Sequence, residues 1–92
     1  MTQPDNRIPT HHPQTAARVF SGEAVVITPA ENKVRMLNTV GSRVWELADG
    51  TRTVDEIAGV LAAEFDVDAA QAQASAAGFV DELAAVGLLA FV

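Results

Sequence analysis

The chain of 92 residues contains few side chains of the types that bind metals, and their spacing is poor for that chemistry. His11 and His12 are the only histidines, and adjacent residues in an extended segment do not converge on one ion. The acidic residues Glu64, Asp66 and Asp68 raise the alternative of a calcium loop. An EF-hand loop that began at Asp66 would need Gly at its sixth position and Glu at its twelfth, and the sequence has neither there. We therefore expect no bound metal.

Nucleophiles and proton-transfer groups are equally sparse. The chain has no cysteine, so it contains neither a thiolate nucleophile nor a disulfide. Its serines, Ser21, Ser42 and Ser75, have no histidine to act as a base in the region that is predicted to fold. Asp81 and Glu82 are adjacent on a predicted helix, which points their side chains about 100° apart. The sequence thus predicts a protein that is not an enzyme and that needs no cofactor.

Composition limits the classes of function further. Hydrophobic residues make up 49% of the chain, and no apolar run approaches the roughly 18 residues of a membrane span. The N-terminal region lacks the apolar stretch of a secretory signal, so we expect a cytoplasmic protein without a membrane partner. All of the net charge of −6 lies in residues 51–92, where Arg52 is the only basic residue. Because phosphate contacts need Lys and Arg, we expect no nucleic-acid partner.

Two regions of the chain differ in pattern. Residues 1–15 contain three of the four prolines and show no helical or strand period, which predicts a flexible N-terminal tail. Residues 16–92 are predicted to form one domain. Within it, apolar and β-branched residues favour strands, and turn-forming residues separate them; the predicted strands are residues 18–20, 24–28 and 33–37, with turns at 21–22 and 29–32. The short connections make these strands an antiparallel meander.

Three helices are predicted to follow the meander. Asn38 is a suitable N-cap for the first helix, which ends at Gly50 and contains Trp45. We expect Trp45 to be buried against the sheet or the second helix, because the chain has few other large apolar residues. Thr53 begins a capping box at the start of the second helix, and the third spans about residues 68–86. This order predicts an α+β domain that resembles a winged helix-turn-helix, with a three-stranded meander before three helices.

Two features of this arrangement suggest binding of another chain. If residues 33–37 form the edge of the sheet, their unpaired N–H and C=O groups can accept an added strand. The alternative is that the charges of Lys33 and Arg35 only protect this edge against aggregation. Strand alternation places Val34 and Met36 on one face and Lys33 and Arg35 on the other, with one face wet. A second stripe of small side chains runs beside the core stripe of the third helix. Small side chains let another chain approach closely; the alternative is that these alanines only stabilise the helix itself. The members of this second stripe are Ala70, Ala74, Ala77 and Ala84, and only Asp81 interrupts it.

Several short motifs, in their order and spacing, resemble the PqqD family. The first is MLNTVGSRVWEL at residues 36–47, and the second is DGTRTVDEI at residues 49–57. The last are FVDEL at residues 79–83 and GLL at residues 87–89. The ordered set is more specific than any one motif, and the resemblance covers roughly residues 17–90.

The resemblance implies both a fold and a function. Proteins of the PqqD family are RiPP recognition elements, small winged-helix domains that bind the leader of a ribosomally made precursor peptide. It therefore implies a non-catalytic peptide chaperone that presents a leader peptide to a modifying enzyme, often a radical S-adenosylmethionine enzyme. In the family, the leader adds as a strand to the third strand and lies against the third helix. The peptide-binding residues that this implies here are Lys33, Val34, Arg35, Met36, Leu37, Ala70, Ala74, Ala77 and Asp81.

Alternatives remain open at the level of the sequence. A winged-helix DNA-binding regulator would show the same order of elements, although residues 68–86, its recognition helix, contain no Lys or Arg. A domain that only scaffolds an enzyme is another alternative. The end product is open as well, because residues 25–28 are VVIT where proteins of the pyrroloquinoline quinone pathway have a Trp-x-Leu-Leu-type strand. We expect the pathway to make either pyrroloquinoline quinone, a redox cofactor, or another peptide natural product.

Overall fold

The structure is a computed structural model of the chain, and it describes residues 5–13, 15–21, 23–28 and 33–92. The strands in this part of the chain are β1 (Pro9–His11), β2 (Ala16–Phe20), β3 (Glu23–Thr28), β4 (Lys33–Met36) and β5 (Leu89–Phe91). The helices are α1 (Thr39–Leu47), α2 (Val54–Phe65) and α3 (Ala69–Ala85). None of these helices is both long and apolar enough to cross a membrane.

Strands β2, β3 and β4 form the antiparallel meander that the sequence predicts. Val26 in the central strand lies opposite Ala17 on one side and Arg35 on the other. The predicted turn at residues 29–32 lies outside the described residues, as does Gly22 of the first turn. Because three helices follow the meander, the predicted fold class is confirmed. Strands β2 and β4 are the two edges of this sheet.

The core lies on one face of the meander, where the helices pack. Ala24 and Val26 point inward from β3 and are fully buried, and α1 packs on that strand. The second and third helices pack along each other, so α2 and α3 close the core from the far side. Burial of one large aliphatic side chain stabilises the fold by about 1.5–3 kcal/mol. The largest fully buried apolar residues on the helices are Val44, Val54, Ile57, Leu61 and Val80.

The helices begin at the residues that the sequence predicts. The Asn38 side chain accepts a hydrogen bond from the Gly41 N–H at 2.8 Å, and Asp68 caps α3 in the same way. At the start of α2, Thr53 and Glu56 form a complete capping box, with each side chain bonded to the other residue's backbone N–H. Such caps satisfy N–H groups that have no partner within the helix, which fixes where each helix starts.

The N-terminal segment departs from the prediction. Residues 1–15 are predicted to be a flexible tail, but within them the structure places β1, which pairs antiparallel with β5 in a second sheet. Residues 1–4 and 14 lie outside the described residues. The partner of β1, β5, is the final strand, at Leu89–Phe91. A strand of three residues shows no sequence period, and its pairing partner lies at the other end of the chain, so no local signal identifies it.

This segment also contacts the start of α2. The carbonyl of Arg7 accepts a hydrogen bond from the Val54 N–H at 2.9 Å, and that of Asp5 accepts one from the Asp55 N–H at 3.2 Å. These N–H groups belong to the first turn of the helix, which has no internal partners for them. The N-terminal segment thus supplies hydrogen-bond acceptors for the first turn of α2.

Candidate functional site

A groove of about 430 Å³ lies between strand β4 and the C-terminal half of α3. One wall comes from β4 and the link to α1, and the opposite wall comes from α3. The lining residues are Arg35, Met36, Leu37 and Asn38 on the first wall and Phe79, Glu82 and Leu83 on the second. The groove therefore combines apolar surface with one basic and one acidic side chain.

The backbone of β4 is open along this groove. The N–H of Leu37 donates to the carbonyl of Ala24 at 2.8 Å, so this residue pairs inward, toward β3. Because backbone groups alternate in direction along a strand, those of Arg35 also face β3, and those of Val34 and Met36 face away from the sheet. Two residues at this edge thus present N–H donors and C=O acceptors to an incoming strand.

The side chains of β4 alternate as predicted, but the apolar side is the exposed one. Val34 and Met36 lie opposite Ile27 and Val25 on the outer face of the sheet, where they are 64% and 75% exposed. Arg35 lies on the helix side and is half-buried. The helices occupy the other face, so nothing in the described residues covers the outer one.

Ser42 holds the end of β4 in place. Its hydroxyl accepts a hydrogen bond from the Ala24 N–H at 2.6 Å and donates one to the carbonyl of Leu37 at 3.1 Å. The side chain is fully buried, so one hydroxyl joins β3, β4 and α1. In the sequence, Ser42 stands out only as a nucleophile without a base. A serine among the inward positions of an amphipathic helix was the available signal for its structural role.

The position of Phe79 in the helix wall depends on α1. A Cβ atom added at Gly41 would lie 2.7 Å from Cε1 of Phe79, which is closer than real Cβ atoms approach other atoms. The missing side chain of Gly41 therefore lets the aromatic ring pack on the first turn of α1. The ring is half-buried, and its remaining surface faces the groove.

The predicted alanine stripe lies away from this groove. Ala70 and Ala74 are exposed, and Ala77 packs partly against the core. Asp81 accepts a hydrogen bond from Nη1 of Arg7 at 2.6 Å. None of these four residues is among those that line the groove. The structure thus brings the predicted strand residues 35–37 to the groove and places a different face of α3 opposite them. Helical periodicity identifies two flanks of a core stripe but does not tell which flank faces β4.

Arg7 links the N-terminal segment to both α3 and β5. Its guanidinium donates two hydrogen bonds to the carboxylate of Asp5 at 2.9 and 2.7 Å, and these lower the pKa of that carboxyl below its ordinary value. The same bonds, with the bond to Asp81, raise the pKa of Arg7. The guanidinium also lies 5.1 Å from the ring centre of Phe91. Asp81, a predicted peptide-binding residue, is thereby part of an internal ion pair.

A second groove lies between the N-terminal segment, β2 and α1. Its volume is about 560 Å³, and it is lined by His11, His12, Pro13, Thr15, Ala17, Val19, Trp45 and Glu46. In the part of the chain that the structure describes, no group of three or more His, Cys, Asp or Glu side chains is placed to hold a metal ion. The open strand edge beside β4 and α3 is suited to binding an extended polypeptide.

Comparisons with known proteins agree with this arrangement. The family model for coenzyme PQQ synthesis protein D (PqqD) matches residues 23–89. The chain is similar to the structure of TbiB1 in complex with the TbiA(beta) leader peptide, with 25% identity, a TM-score of 0.80, and coverage of 87% of this chain and 93% of that chain. It shares its fold with lasso peptide synthetase B1 complexed with the leader peptide, at 16% identity, a TM-score of 0.80 and coverage of 90% and 98%. A search of curated proteins finds no match.

Proposed function

Because the chain belongs to the PqqD family, we propose that it is a peptide chaperone that binds the leader of a ribosomally synthesised precursor peptide and presents it to a modifying enzyme. The observation that carries this proposal is the open edge of β4 beside the groove against α3. TbiB1, which has the same fold and 25% identity, is in complex with a leader peptide, which supports the same class of ligand here.

The leader adds a strand to β4 in this proposal. Its main chain bonds to the outward N–H and C=O groups of Val34 and Met36, which supply affinity that does not depend on the peptide's sequence. Alternate side chains point into the groove and contact Phe79 and Leu83, which supply specificity. Residues 33–37 remain the strand half of the proposed site. On the helix, Phe79, Glu82 and Leu83 take the place of the alanine stripe.

The domain supplies binding rather than chemistry in this proposal. The bond-forming steps belong to its partner, a radical S-adenosylmethionine enzyme or another peptide-modifying enzyme, and the setting is the cytoplasm, where the ribosome makes the precursor. We place the peptide-binding domain at residues 16–92 together with β1, because β1 completes the sheet with β5. The DNA-binding alternative gains no support, since α3 carries no basic residue.

Proline substitutions on β4 test the proposed mode of binding. The probes are fluorescein-labelled synthetic peptides that cover the N-terminal parts of small open reading frames beside the gene, measured by fluorescence anisotropy. We expect one of them to bind saturably. Val34→Pro removes an outward N–H donor and should weaken that peptide's binding about tenfold while the circular dichroism spectrum stays unchanged.

The matched control lies one residue further along the strand. Arg35→Pro removes an N–H that faces β3, so it should lower the melting temperature of the protein itself. If none of the peptides binds, or if Val34→Pro binds the peptide as tightly as the parent chain does, the edge of β4 is not the binding site and the proposal is overturned.

A further inference from the structure

We propose that the leader carries an acidic side chain that binds the guanidinium of Arg35, and that an apolar residue stands on each side of it in the peptide. This inference rests on the proposed function and names the class of peptide that the site selects. It follows from the surroundings of Arg35, from the geometry of an added strand, and from the distribution of charge across the groove.

Arg35 is a half-buried cation that has no acidic partner among the residues that the structure describes. Among the described residues, its guanidinium makes no hydrogen bond or ion pair, although it lines the groove. Three other arginines are paired: Arg7 with Asp5 at 2.7 Å, Arg43 with Glu64 at 2.8 Å, and Arg52 with Asp49 at 3.0 Å. A guanidinium has five N–H donors in a planar fork that matches a carboxylate. A ligand carboxylate would satisfy donors that the described residues leave open.

Strand geometry places one peptide side chain beside this guanidinium. In an antiparallel addition, the peptide residues opposite Val34 and Met36 exchange main-chain hydrogen bonds with β4. The residue opposite Arg35 then belongs to the closely spaced type of pair, with Cα atoms about 4.5 Å apart. Its side chain points to the same face as Arg35, which is the helix side and the groove. A carboxylate at that position reaches the guanidinium.

The neighbouring peptide residues point to the opposite face. There they lie beside the side chains of Val34 and Met36, which are 64% and 75% exposed. Apolar peptide residues would remove this surface from water at a gain of about 25 cal/mol per Å². The site therefore selects the pattern apolar–acidic–apolar. A slip by one residue would exchange the two faces, so the pattern also fixes the register of the peptide.

The charge of the two walls supports this assignment. The described residues of β2, β3 and β4 carry three basic side chains and one acidic one, Glu23, whereas α3 carries Asp81, Glu82 and no basic residue. In the groove, Arg35 on the sheet wall faces Glu82 on the helix wall, and no ion pair joins them. An acidic peptide side chain is thus favoured next to β4 and disfavoured next to α3.

A displayed peptide library tests this inference. Random peptides of 12 residues on the surface of yeast are sorted against the fluorescently labelled full chain, and the enriched sequences are aligned. We expect Asp or Glu at one position with apolar residues on both sides. Arg35→Gln should lose the acidic preference and keep the apolar one, and Arg35→Glu should select Lys or Arg instead. For a selected peptide, replacing the acid by its amide should weaken binding about tenfold to a hundredfold.

The control variant is Arg18→Gln, which makes the same change of charge on the exposed strand β2. It should keep the acidic preference, because Arg18 lies on the far edge of the sheet from the groove. If the parent chain selects peptides without an acidic position, or if Arg35→Gln still selects an acidic position, the inference is wrong and the proposed function stands. A library of random 12-residue peptides contains every three-residue pattern many times over. If the parent chain selects no peptide from it, both the inference and the proposed function are overturned.

Discussion

The imidazole of His11 stacks on the indole of Trp45, with the ring centres 3.8 Å apart and the ring planes 6° from parallel. The Nε2–H of His11 also donates a hydrogen bond to the carbonyl of Trp45, at 2.6 Å. Trp45 is only 3% exposed, so its predicted burial is confirmed. A residue of β1 thus covers a core residue of α1, and the N-terminal segment contributes to the core beneath the proposed binding groove.

Replacement of Trp45 tests the importance of this contact. Trp45→Ala should lower the free energy of unfolding by about 3–5 kcal/mol, the usual cost of removing a buried aromatic side chain. His11→Ala should lower it less, by about 0.5–1.5 kcal/mol, because it removes the stacking partner but not the buried ring. Urea denaturation followed by circular dichroism measures both. Val19→Ala, at a 46% exposed site, should change stability little, and an unchanged urea midpoint in Trp45→Ala would contradict the packing described.

Deletion of residues 1–13 tests whether the N-terminal segment belongs to the domain. The deletion removes β1, the stacking partner of Trp45, and the two carbonyls that accept hydrogen bonds from α2. We expect a loss of more than about 2 kcal/mol, which lowers the melting temperature of a domain of this size by about 10 °C. Asn6→Ala, at an exposed site in the same segment, should leave the melting temperature unchanged. A truncated chain that melts with the parent would show that the segment only rests on the surface.

The sequence predicts those parts of the fold that depend on local signals. Asn38 and Thr53 cap helices through hydrogen bonds to residues three positions away, so a short motif contains the whole interaction. The meander is equally local, because each strand pairs with the next one along the chain. Alternation along β4 also follows from the period of a strand, so the two faces of that strand were predicted correctly.

The remaining features depend on residues that are far apart in the chain. Pro9 pairs with Phe91 at the other end of the chain, and no local pattern around Pro9 indicates a strand. Which flank of α3 faces β4 depends on how the helices pack, and the alanine stripe and the flank with Phe79 both satisfy helical periodicity. The exposed apolar face of β4 is a further case, since alternation shows that two faces exist but not which one the helices cover.

The carboxylate of Asp5 should make stability depend on pH. Arg7 lowers the pKa of this carboxyl below its ordinary value, so the charged form favours the folded state. Its contribution is complete above the ordinary carboxyl pKa of about 3.9 and is lost as the pH falls through the lower pKa of the folded state. Asp5→Asn should therefore be less stable than the parent by about 0.5–1 kcal/mol at neutral pH, and the difference should disappear in strong acid.

Urea denaturation at a series of pH values measures this difference for Asp5→Asn. Glu23→Gln is the control, because Glu23 is an exposed carboxylate that makes no hydrogen bond or ion pair among the described residues. Its stability should follow that of the parent chain throughout. A difference between Asp5→Asn and the parent that stays constant into strong acid would show that the side chain acts through packing rather than through its charge.

Two glycine substitutions separate the shape of the groove from the stability of the fold. In Gly41→Ala, the new methyl group occupies space that the ring of Phe79 now fills, and the ring must move toward the groove. Alanine favours a helix over glycine by about 1 kcal/mol, which offsets part of the cost of moving the ring, so stability should change little. Affinity for a leader peptide should fall about tenfold, because the displaced ring fills part of the proposed binding groove.

Gly78→Ala is the matched control for this test, because it makes the same chemical change on α3 itself. A Cβ atom at Gly78 meets no other atom within 4 Å, so this variant should only gain helix stability, about 0.5–1 kcal/mol, and bind the peptide like the parent. Anisotropy titrations and thermal melts of the two variants give the comparison. Equal affinities for Gly41→Ala and Gly78→Ala would mean that the ring of Phe79 does not contact the peptide, and the helix wall of the groove would then lie elsewhere on α3.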